Sequence, residues 1–372
     1  MSRSPDRGEP HGGHRACRCC LRRSWLLGRL SGHLDRARGH IQALLELADE
    51  DLIAAVAPKH KRTVAGERAT FDAQAYRARC AGAGLELICR CDPAYPAGLW
   101  TLTAPPAVLH VAGETARFHE LAGRQSVAIV GARRASPYAL GAARTIARGV
   151  AVAGLTVISG MATGVDTAAH DGALEAEGGT IAVLACAPER PYPPAGRSLY
   201  RRILATGAVV SELGAGVAVR RWMFPARNRI MAALGSMTLV TAARQGSGAL
   251  LTALVAQELG RAVGAVPGQI TAPLSWGPHQ LLRGGAHLVT EPEDVLDVLC
   301  AAGGRGGAVA ERPYLEPRLQ PLFDAIADGN DLPKAFDEAG LDAGRGLATL
   351  AALELAGHVR RQPGGRFSIV RW

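Results

Sequence analysis

The sequence predicts an α/β fold built on a doubly wound, mostly parallel sheet, and three observations carry this prediction. Short apolar runs rich in β-branched residues alternate with helical stretches between residues 126 and 289, as parallel strands joined by crossover helices do. Glycines follow several of these runs, where strand-to-helix turns are tight. The last sixty residues instead predict three helices and a glycine-turned hairpin, which is the pattern of a winged helix.

The predicted strands follow one another in a regular order. A central βαβ unit joins strands at Val127–Val130 and Thr156–Ser159 through a helix over Pro137–Ala153, which has Pro at its start and Gly154 after its end. Further strands are predicted at Val108–Val111, Thr180–Leu184, Ala208–Ser211, Met237–Val240, Ala262–Val266 and His287–Val289. Ligands of such sheets bind beyond the carboxyl ends of the strands, so we expect the functional residues in the loops there.

The 372 residues are expected to form five segments. Residues 1–15 are polar with Gly and Pro, and a disordered tail is expected there. Residues 16–85 carry apolar residues at helical spacing and predict a small helical module. Residues 86–300 form the sheet domain, residues 301–312 a Gly- and Ala-rich linker, and residues 313–372 the winged helix.

The charge balance favours an anionic partner for the sheet domain. The chain has a formal charge of +9 and a pI near 9.5, which suits a polyanion. The chain has 39 Arg and only 3 Lys, so a general compositional bias toward arginine remains an alternative explanation of the positive charge. Residues 300–372 hold nine basic and nine acidic side chains, so protein contact or regulation is favoured there over DNA binding.

The eight cysteines do not predict a metal site. Cys17, Cys19 and Cys20 form one cluster and Cys89 and Cys91 another, but no pair of C-x-x-C spacings is present. Neither a metal nor another cofactor is expected. No apolar run reaches membrane-spanning length and the start lacks the apolar segment of a signal peptide, so a cytoplasmic protein with reduced thiols and no membrane partner is expected.

Two strand-end loops have residues suited to phosphate. Gly131 lets backbone amides approach an anion at a helix N-terminus, and Arg133 can form a bidentate pair with a phosphate. A tight turn alone would also require Gly131, and the loop lacks the G-x-G-x-x-G pattern of a dinucleotide site. After the next strand, Asp166 and His170 lie four residues apart, which fits either a capping and intrahelical pair or a ligand role.

Two other segments have residues of the same kinds. Arg227 and Arg229 flank Asn228 just before an apolar helical segment, where they either clamp phosphates or form buried ion pairs. Arg197 follows Tyr192 closely, a combination suited to a single strand that offers both phosphates and exposed bases. No Ser-His-Asp order, carboxylate pair or metal-ligand set indicates a catalyst. The chain is therefore expected to bind its ligand and not to act as an enzyme.

The motifs between residues 90 and 372 resemble one family closely. They occur in the order CDPAYPAGLW, PPAVLHVAG, VAIVGARRAS, ISGMATGVDTAAH, TIAVLA, YPP, SEL, FPARNRI, SGALLTA, GRAV, VPG and LLRGGA. The chain thereby resembles DprA/Smf, the DNA-processing protein of bacterial transformation.

The resemblance implies an extended Rossmann-like domain that binds single-stranded DNA without sequence preference, forms a homodimer and loads RecA recombinase. By motif match, Arg133 and Arg197 take the positions of basic DNA-contacting residues. The full set expected at the DNA site is Gly131, Arg133, Ser136, Ser159, Gly160, Gly164, Arg197, Arg227, Asn228, Arg229, Ser247 and Gly248.

Two other functions compete with this one. Enzymes resembling the LOG-type nucleoside-monophosphate phosphoribohydrolases have a related sheet, but they carry a PGGxGTxxE signature. The corresponding stretch here begins at Pro267 and has no carboxylate. A scaffold without DNA contact is the third alternative, and the positive charge of the sheet domain argues against it.

Overall fold

The computed structural model describes residues 16–303, 318–327, 331–356, 358–361 and 367–369. The chain divides into two compact units, Met1–Cys300 and Ala301–Trp372. The predicted tail 1–15 and most of the predicted linker 301–312 lie outside the described residues, but the first residues of that linker belong to a helix, Pro292–Gly303.

Nine strands form the sheet in the described part of the first unit, in the order β1-β2-β6-β5-β4-β3-β7-β8-β9. Strands β3 to β9 pair in parallel, whereas β2 is antiparallel to both β1 and β6. The strands are β1 Leu85–Cys89, β2 Val108–Ala112, β3 Ser126–Gly131, β4 Thr156–Ser159, β5 Thr180–Val183, β6 Ala208–Ser211, β7 Met237–Ala242, β8 Ala262–Ala265 and β9 His287–Leu288. The doubly wound, mostly parallel sheet predicted from the sequence is confirmed.

Strand β3 occupies the place where the strand order reverses. Its neighbour on one side is β4, the next strand in the chain, and its neighbour on the other side is β7. Crossovers from β3 and from β7 therefore leave to opposite sides and open a crevice between the two carboxyl ends.

Helices cover both faces of the sheet. Val127 and Ile129 of β3 pack in one hydrophobic cluster, and Ala128 and Val130 pack in another on the opposite face. The covering helices are α7 Thr115–Ala122, α8 Pro137–Val152, α9 Val165–Glu175, α10 Arg197–Thr206, α11 Met223–Leu234, α12 Gly248–Glu258, α13 Trp276–Arg283 and α14 Pro292–Gly303.

The N-terminal helices pack against the sheet domain within the same unit. Leu26, Leu30 and Leu34 share a hydrophobic cluster with Trp222, which is fully buried at the start of α11. The helices are α1 Arg18–Arg29, α2 Ser31–Arg36, α3 Ile41–Glu46, α4 Asp49–Val56, α5 Lys61–Ala69 and α6 Ala73–Gly82.

Some elements differ from the sequence predictions. Strand β1 was not predicted, and neither was the individual helix α5 within the helical module predicted for residues 16–85. Arg227, Asn228 and Arg229 lie inside α11 and not before it, because Met223 and the residues after it already form the first turn.

The described part of the second unit contains three helices and one two-stranded antiparallel sheet. Leu322, Phe336, Leu353 and Val359 belong to its hydrophobic core. The elements are α15 Gln320–Ala327, α16 Leu332–Glu338, α17 Ala343–Leu355, β10 Val359–Arg361 and β11 Phe367–Ile369. This matches the predicted three helices and hairpin.

Within the described ranges, no helix combines the length and the apolar character needed to cross a bilayer.

Candidate nucleic-acid interface

A cavity of about 720 Å³ lies at the carboxyl ends of β3 and β7, where the strand order reverses. Its walls come from the loops after β3, β4, β7 and β8, from α11 and from the first turns of α12. Its lining consists of Val130, Gly131, Ala132, Arg133, Arg134, Ala162, Asp166, Phe224, Arg227, Asn228, Met231, Arg244, Gly246, Ser247, Gly248, Ala249, Thr252, Pro273 and Leu274.

Two glycines let the loops after β3 and β4 approach each other. A Cβ on Gly131 would lie 2.7 Å from Val165 Cγ2. Gly164 has φ +89°, and a Cβ there would lie 2.4 Å from the carbonyl oxygen of Ala132. Any side chain at either position would push the loops apart, so both glycines shape the wall of the cavity.

Helix N-termini surround the same edge of the sheet. Ser136 caps α8 by accepting a hydrogen bond from the Ala139 amide at 3.3 Å, and Ser247 caps α12 by accepting one from the Ala249 amide at 3.4 Å. Helix α9 begins immediately after Gly164. The amide ends of these helices carry partial positive charge, which favours an anion in the cavity.

Three exposed arginines stand around the mouth of the cavity. Arg133, Arg134 and Arg244 line it and are exposed, and in the part of the chain that the structure describes no carboxylate lies within 4.0 Å of their guanidinium groups. The Arg133 guanidinium lies 5.0 Å from the ring centroid of Phe224. Their positive charge is thus available to a ligand.

A fourth arginine forms part of the floor. Arg227 is 7% exposed, and its Nη1 donates to the Val183 carbonyl oxygen at 2.8 Å. A Cβ on Gly160 would fall 1.4 Å from that Nη1, so Gly160 provides the space for this guanidinium. Asn228 lies beside it and donates from Nδ2 to the Gly248 carbonyl oxygen at 3.0 Å, which ties α11 to the start of α12.

Asp166 is the one carboxylate among the described lining residues. It is 5% exposed, and its Oδ2 accepts a hydrogen bond from the Ala162 amide at 3.3 Å. Burial raises the pKa of this carboxyl, and the positive charge of Arg227 partly opposes the rise. The lining therefore holds four arginines against one acid whose ionised form is disfavoured.

Comparisons with known proteins agree with this architecture. A family profile described as DNA recombination-mediator protein A matches residues 86–300. Protein Smf of Escherichia coli strain K12 is 36% identical over 280 residues, which span 73% of this chain and 74% of that protein. The chain belongs to the DNA recombination-mediator protein A (DprA) family. A profile described as the DprA winged helix domain matches residues 337–365, which confirms the predicted winged helix.

Two solved DprA structures resemble the chain. DprA from Streptococcus pneumoniae aligns with a TM-score of 0.59 and 31% identity, covering 75% of this chain and 95% of that one. DprA from Helicobacter pylori, a structure described for its single-stranded DNA binding mode, aligns with a TM-score of 0.52 and 26% identity. That alignment covers 59% of this chain and 98% of the other.

Half of the expected site residues of this DprA family member line the cavity. These are Gly131, Arg133, Arg227, Asn228, Ser247 and Gly248. Three more support the cavity without lining it. Gly160 leaves space for Arg227, Gly164 allows the loops after β3 and β4 to approach each other, and Ser136 caps α8. The remaining three, Ser159, Arg197 and Arg229, lie elsewhere.

The structure gives Ser159 and Arg229 internal partners. Ser159 is fully buried, and its hydroxyl donates to the Ile129 carbonyl oxygen at 2.7 Å, so it does not face a ligand. Arg229 donates to both carboxylate oxygens of Glu212, at 2.7 and 2.8 Å, with side-chain exposures of 4% and 9%. Of the two alternatives for Arg229, the buried ion pair is the one observed.

Arg197 belongs to a loop that reaches the cavity by way of an aromatic contact. It is exposed at the start of α10, just after the cis peptide between Tyr192 and Pro193. The Tyr192 ring centroid lies 5.9 Å from that of Phe224, which lines the cavity. Arg197 itself is exposed outside the cavity lining.

Asp166 and His170 do not bond to each other, although they share one helix. His170 is fully buried, and its Nδ1 donates to the Thr180 hydroxyl at 2.7 Å, since that hydroxyl itself donates to the Val157 carbonyl oxygen. Burial, with a smaller contribution from Arg227, lowers the pKa of His170 to about 3. His170 is a neutral core residue, and Asp166 alone faces the cavity.

Sequence reasoning missed Arg134, Arg244 and Phe224 at this site. Arg134 directly follows the arginine of the G-x-R turn, and Arg244 follows β7 at the same sheet edge, so the strand-end rule could have found both. Phe224 carried no such signal, because it reaches the cavity from a helix.

Proposed function

We propose that this chain binds single-stranded DNA without sequence preference in the cavity between β3 and β7. The observation that carries the proposal is the set of three exposed arginines without acidic partners among the described residues, placed where helix N-termini meet. Phosphates would bind to Arg133, Arg134 and Arg244, which supply most of the affinity by releasing counterions.

The few aromatic residues limit how bases are held. Phe224 and Tyr192 stand at the rim, and Tyr192 is 38% exposed. A ring that stacks on a base tolerates any sequence, because every base has a π-face. Arg197, beyond Tyr192, would continue the phosphate track along the outside of the cavity.

In the cell, this binding would serve DNA processing in transformation or recombination. We propose that the chain protects incoming single strands, forms a homodimer and loads RecA recombinase. The family membership supports this part of the proposal. The winged-helix segment, with its balanced charge, would contact a protein or regulate the complex.

A salt titration of binding tests the site. We expect wild type to prefer single-stranded over double-stranded oligonucleotides, and Arg133→Ala and Arg244→Ala each to flatten the slope of log K against log salt by about 0.7. Arg148→Ala is the matched control, because it removes an exposed arginine from α8 outside the cavity lining. Slopes that stay equal in all three variants would remove the cavity from the proposal.

A phosphoribohydrolase is the second candidate, and the observation that favours it is a buried carboxyl with a raised pKa in the cavity. Incubation with nucleoside monophosphates tests it by the release of free base. Hydrolysis that disappears in Asp166→Asn, with DNA binding retained, would establish the enzyme. We expect no base release, since the proposed role of the cavity is to hold a strand.

A further inference from the structure

Four cysteines from distant parts of the sequence meet beside the N-terminal helices. Cys17 precedes α1, Cys19 and Cys20 lie in its first turn, and Cys91 lies in the turn after β1. The Sγ atoms of Cys17 and Cys20 each lie 3.7 Å from Sγ of Cys91. All four Sγ atoms lie within 4.8 Å of one another.

These separations fit one tetrahedral ion. A zinc ion with four Zn–S bonds of about 2.3 Å places its sulfur atoms about 3.8 Å apart. The two contacts to Cys91 already have this spacing, whereas Cys17 and Cys19, at 3.1 Å, would separate slightly on binding. A set this compact leaves room for a single ion but not for a cluster with bridging sulfides. The four thiols are free and not joined in disulfides.

Positive charge lies close to the four cysteines. Cys17 is the residue before α1 and Cys19 and Cys20 lie in its first turn, and a helix N-terminus stabilises negative charge. Arg22 and Arg90 line a cavity of about 290 Å³ together with Cys19. Nε of Arg22 is buried and has no hydrogen-bond partner. Four thiolates around a divalent ion carry two net negative charges, which these arginines offset.

We propose that Cys17, Cys19, Cys20 and Cys91 bind one zinc ion, which fastens the start of α1 to the turn after β1. Soft thiolate ligands in tetrahedral arrangement select zinc, and a fourfold protein ligand set leaves no open position for substrate. The site is therefore structural. Binding converts four thiols to thiolates and releases four protons for each Zn²⁺ taken up.

The site was not predicted from the sequence, because its ligands come from two distant segments of the chain. Cys17 and Cys20 have C-x-x-C spacing, but Cys91 comes 71 residues later than Cys20. Cys89 is close by and its side chain interacts with that of Cys20, but it is not among the four thiols whose Sγ atoms all lie within 4.8 Å of one another. The absence of a second C-x-x-C in the sequence therefore did not exclude a site.

Metal analysis of the purified full-length chain tests the proposal. We expect about one zinc per chain by mass spectrometry of the metal, and roughly a tenth or less in Cys17→Ser and Cys91→Ser. Cobalt substitution should give thiolate charge-transfer bands and the intense visible bands of a tetrahedral ion. Cys300→Ser is the control, because this exposed thiol lies on α14 outside the group, and it should keep full occupancy.

Three results would overturn the proposal. One is wild-type protein that folds normally but holds only background zinc after reconstitution with Zn²⁺. Another is full zinc occupancy in both Cys17→Ser and Cys91→Ser. The third is a mass two or four hydrogen atoms below that of the reduced chain, with peptide mapping that places the disulfides at these cysteines. The wild-type measurement decides the matter even if a serine variant fails to fold.

Discussion

Gly160 shows how one absent side chain determines the site. The space beside its Cα is filled by the Arg227 guanidinium, and the nearest nitrogen would lie 1.4 Å from an added Cβ. Arg227 is only 7% exposed, so an added side chain at Gly160 leaves it no room to move except toward the cavity that it lines. The sequence analysis expected Gly160 at the DNA site, whereas in the structure the space beside it is filled by a protein cation.

Gly160→Ala should therefore lower the free energy of unfolding by about 1–3 kcal/mol through overpacking. It should also weaken binding of single-stranded DNA, because Arg227 is displaced into the cavity. Urea denaturation and a binding titration measure the two effects.

The matched control is Gly141→Ala, at an exposed position of α8 where an added Cβ meets nothing within 4 Å. It should raise stability by roughly 0.5–1 kcal/mol, since Ala is the better helix former. Equal effects of the two substitutions would mean that the space beside Gly160 is not needed.

Arg227 and Arg229 illustrate what sequence could and could not settle. Their spacing of two residues puts them on nearly opposite sides of a helix, so a helical assignment would have separated their roles. The sequence predicted that the helix begins only after them. Phosphate binding and a buried ion pair therefore both remained open for each arginine. Which of the two turns toward the cavity depends on the tertiary position of α11, which no local pattern encodes.

Helix α11 is anchored away from the cavity by the buried ion pair of Arg229 with Glu212, which follows β6. Arg229→Met leaves the carboxylate buried without its partner and should cost about 3–5 kcal/mol in the free energy of unfolding. Chemical denaturation measures this loss. The double variant with Glu212→Leu should recover much of it, because no unpaired charge remains.

An exposed pair supplies the comparison. Arg144 of α8 and Glu175 of α9 also form a salt bridge, and Arg144→Met should change stability little because water screens the pair. If Arg229→Met proved equally mild, the buried pair would not anchor α11.

Whether a strand or helix could be predicted depended on how regular the pattern of apolar residues in its sequence is. Strands of the parallel region were found because both faces are buried and their sequences are continuous apolar runs. Strand β1 was not predicted from the sequence because Glu86 interrupts its apolar pattern. It lies at the sheet edge and pairs only with β2. Helix α5 was not predicted from the sequence because its residues are mostly polar and only Val64 is buried.

The folded molecule as a whole should lose stability in mild acid because it buries neutral histidines. His110 of β2 is fully buried, and burial lowers its pKa to about 4. The unfolded chain binds this proton near pH 6.5, so the free energy of unfolding falls as the pH drops from about 6.5 to about 4. The loss attributable to this group is on the order of 3 kcal/mol.

Urea denaturation at several pH values measures the effect, and His110→Gln should flatten the curve across this window. Comparison with the variant is needed because Asp166, with its raised pKa, titrates in the opposite sense. The pKa of His170 is lowered further, to about 3, so its contribution persists in the variant. A variant curve parallel to wild type would show that His110 is not the group responsible.

The location of the candidate site was only partly predictable from the sequence, because it depends on contacts between distant parts of the chain. The rule that ligands bind beyond strand carboxyl ends predicted the edge of the sheet at which the cavity lies. Choosing the gap between β3 and β7 required the strand order, which arises from long-range pairing. The meeting of Cys91 with the first turn of α1 depends on the same kind of pairing.

Strand β7 contains one residue more than β3 requires where the two strands end together. Val130 pairs with Val240 but Gly131 pairs with Ala242, so Thr241 is the extra residue of a bulge. A change of length by one residue here would invert which side chains of the following segment point to which face. Insertions and deletions within β7 should therefore disturb this protein more than most substitutions in its loops, and the number of residues in β7 is itself a determinant of the cavity.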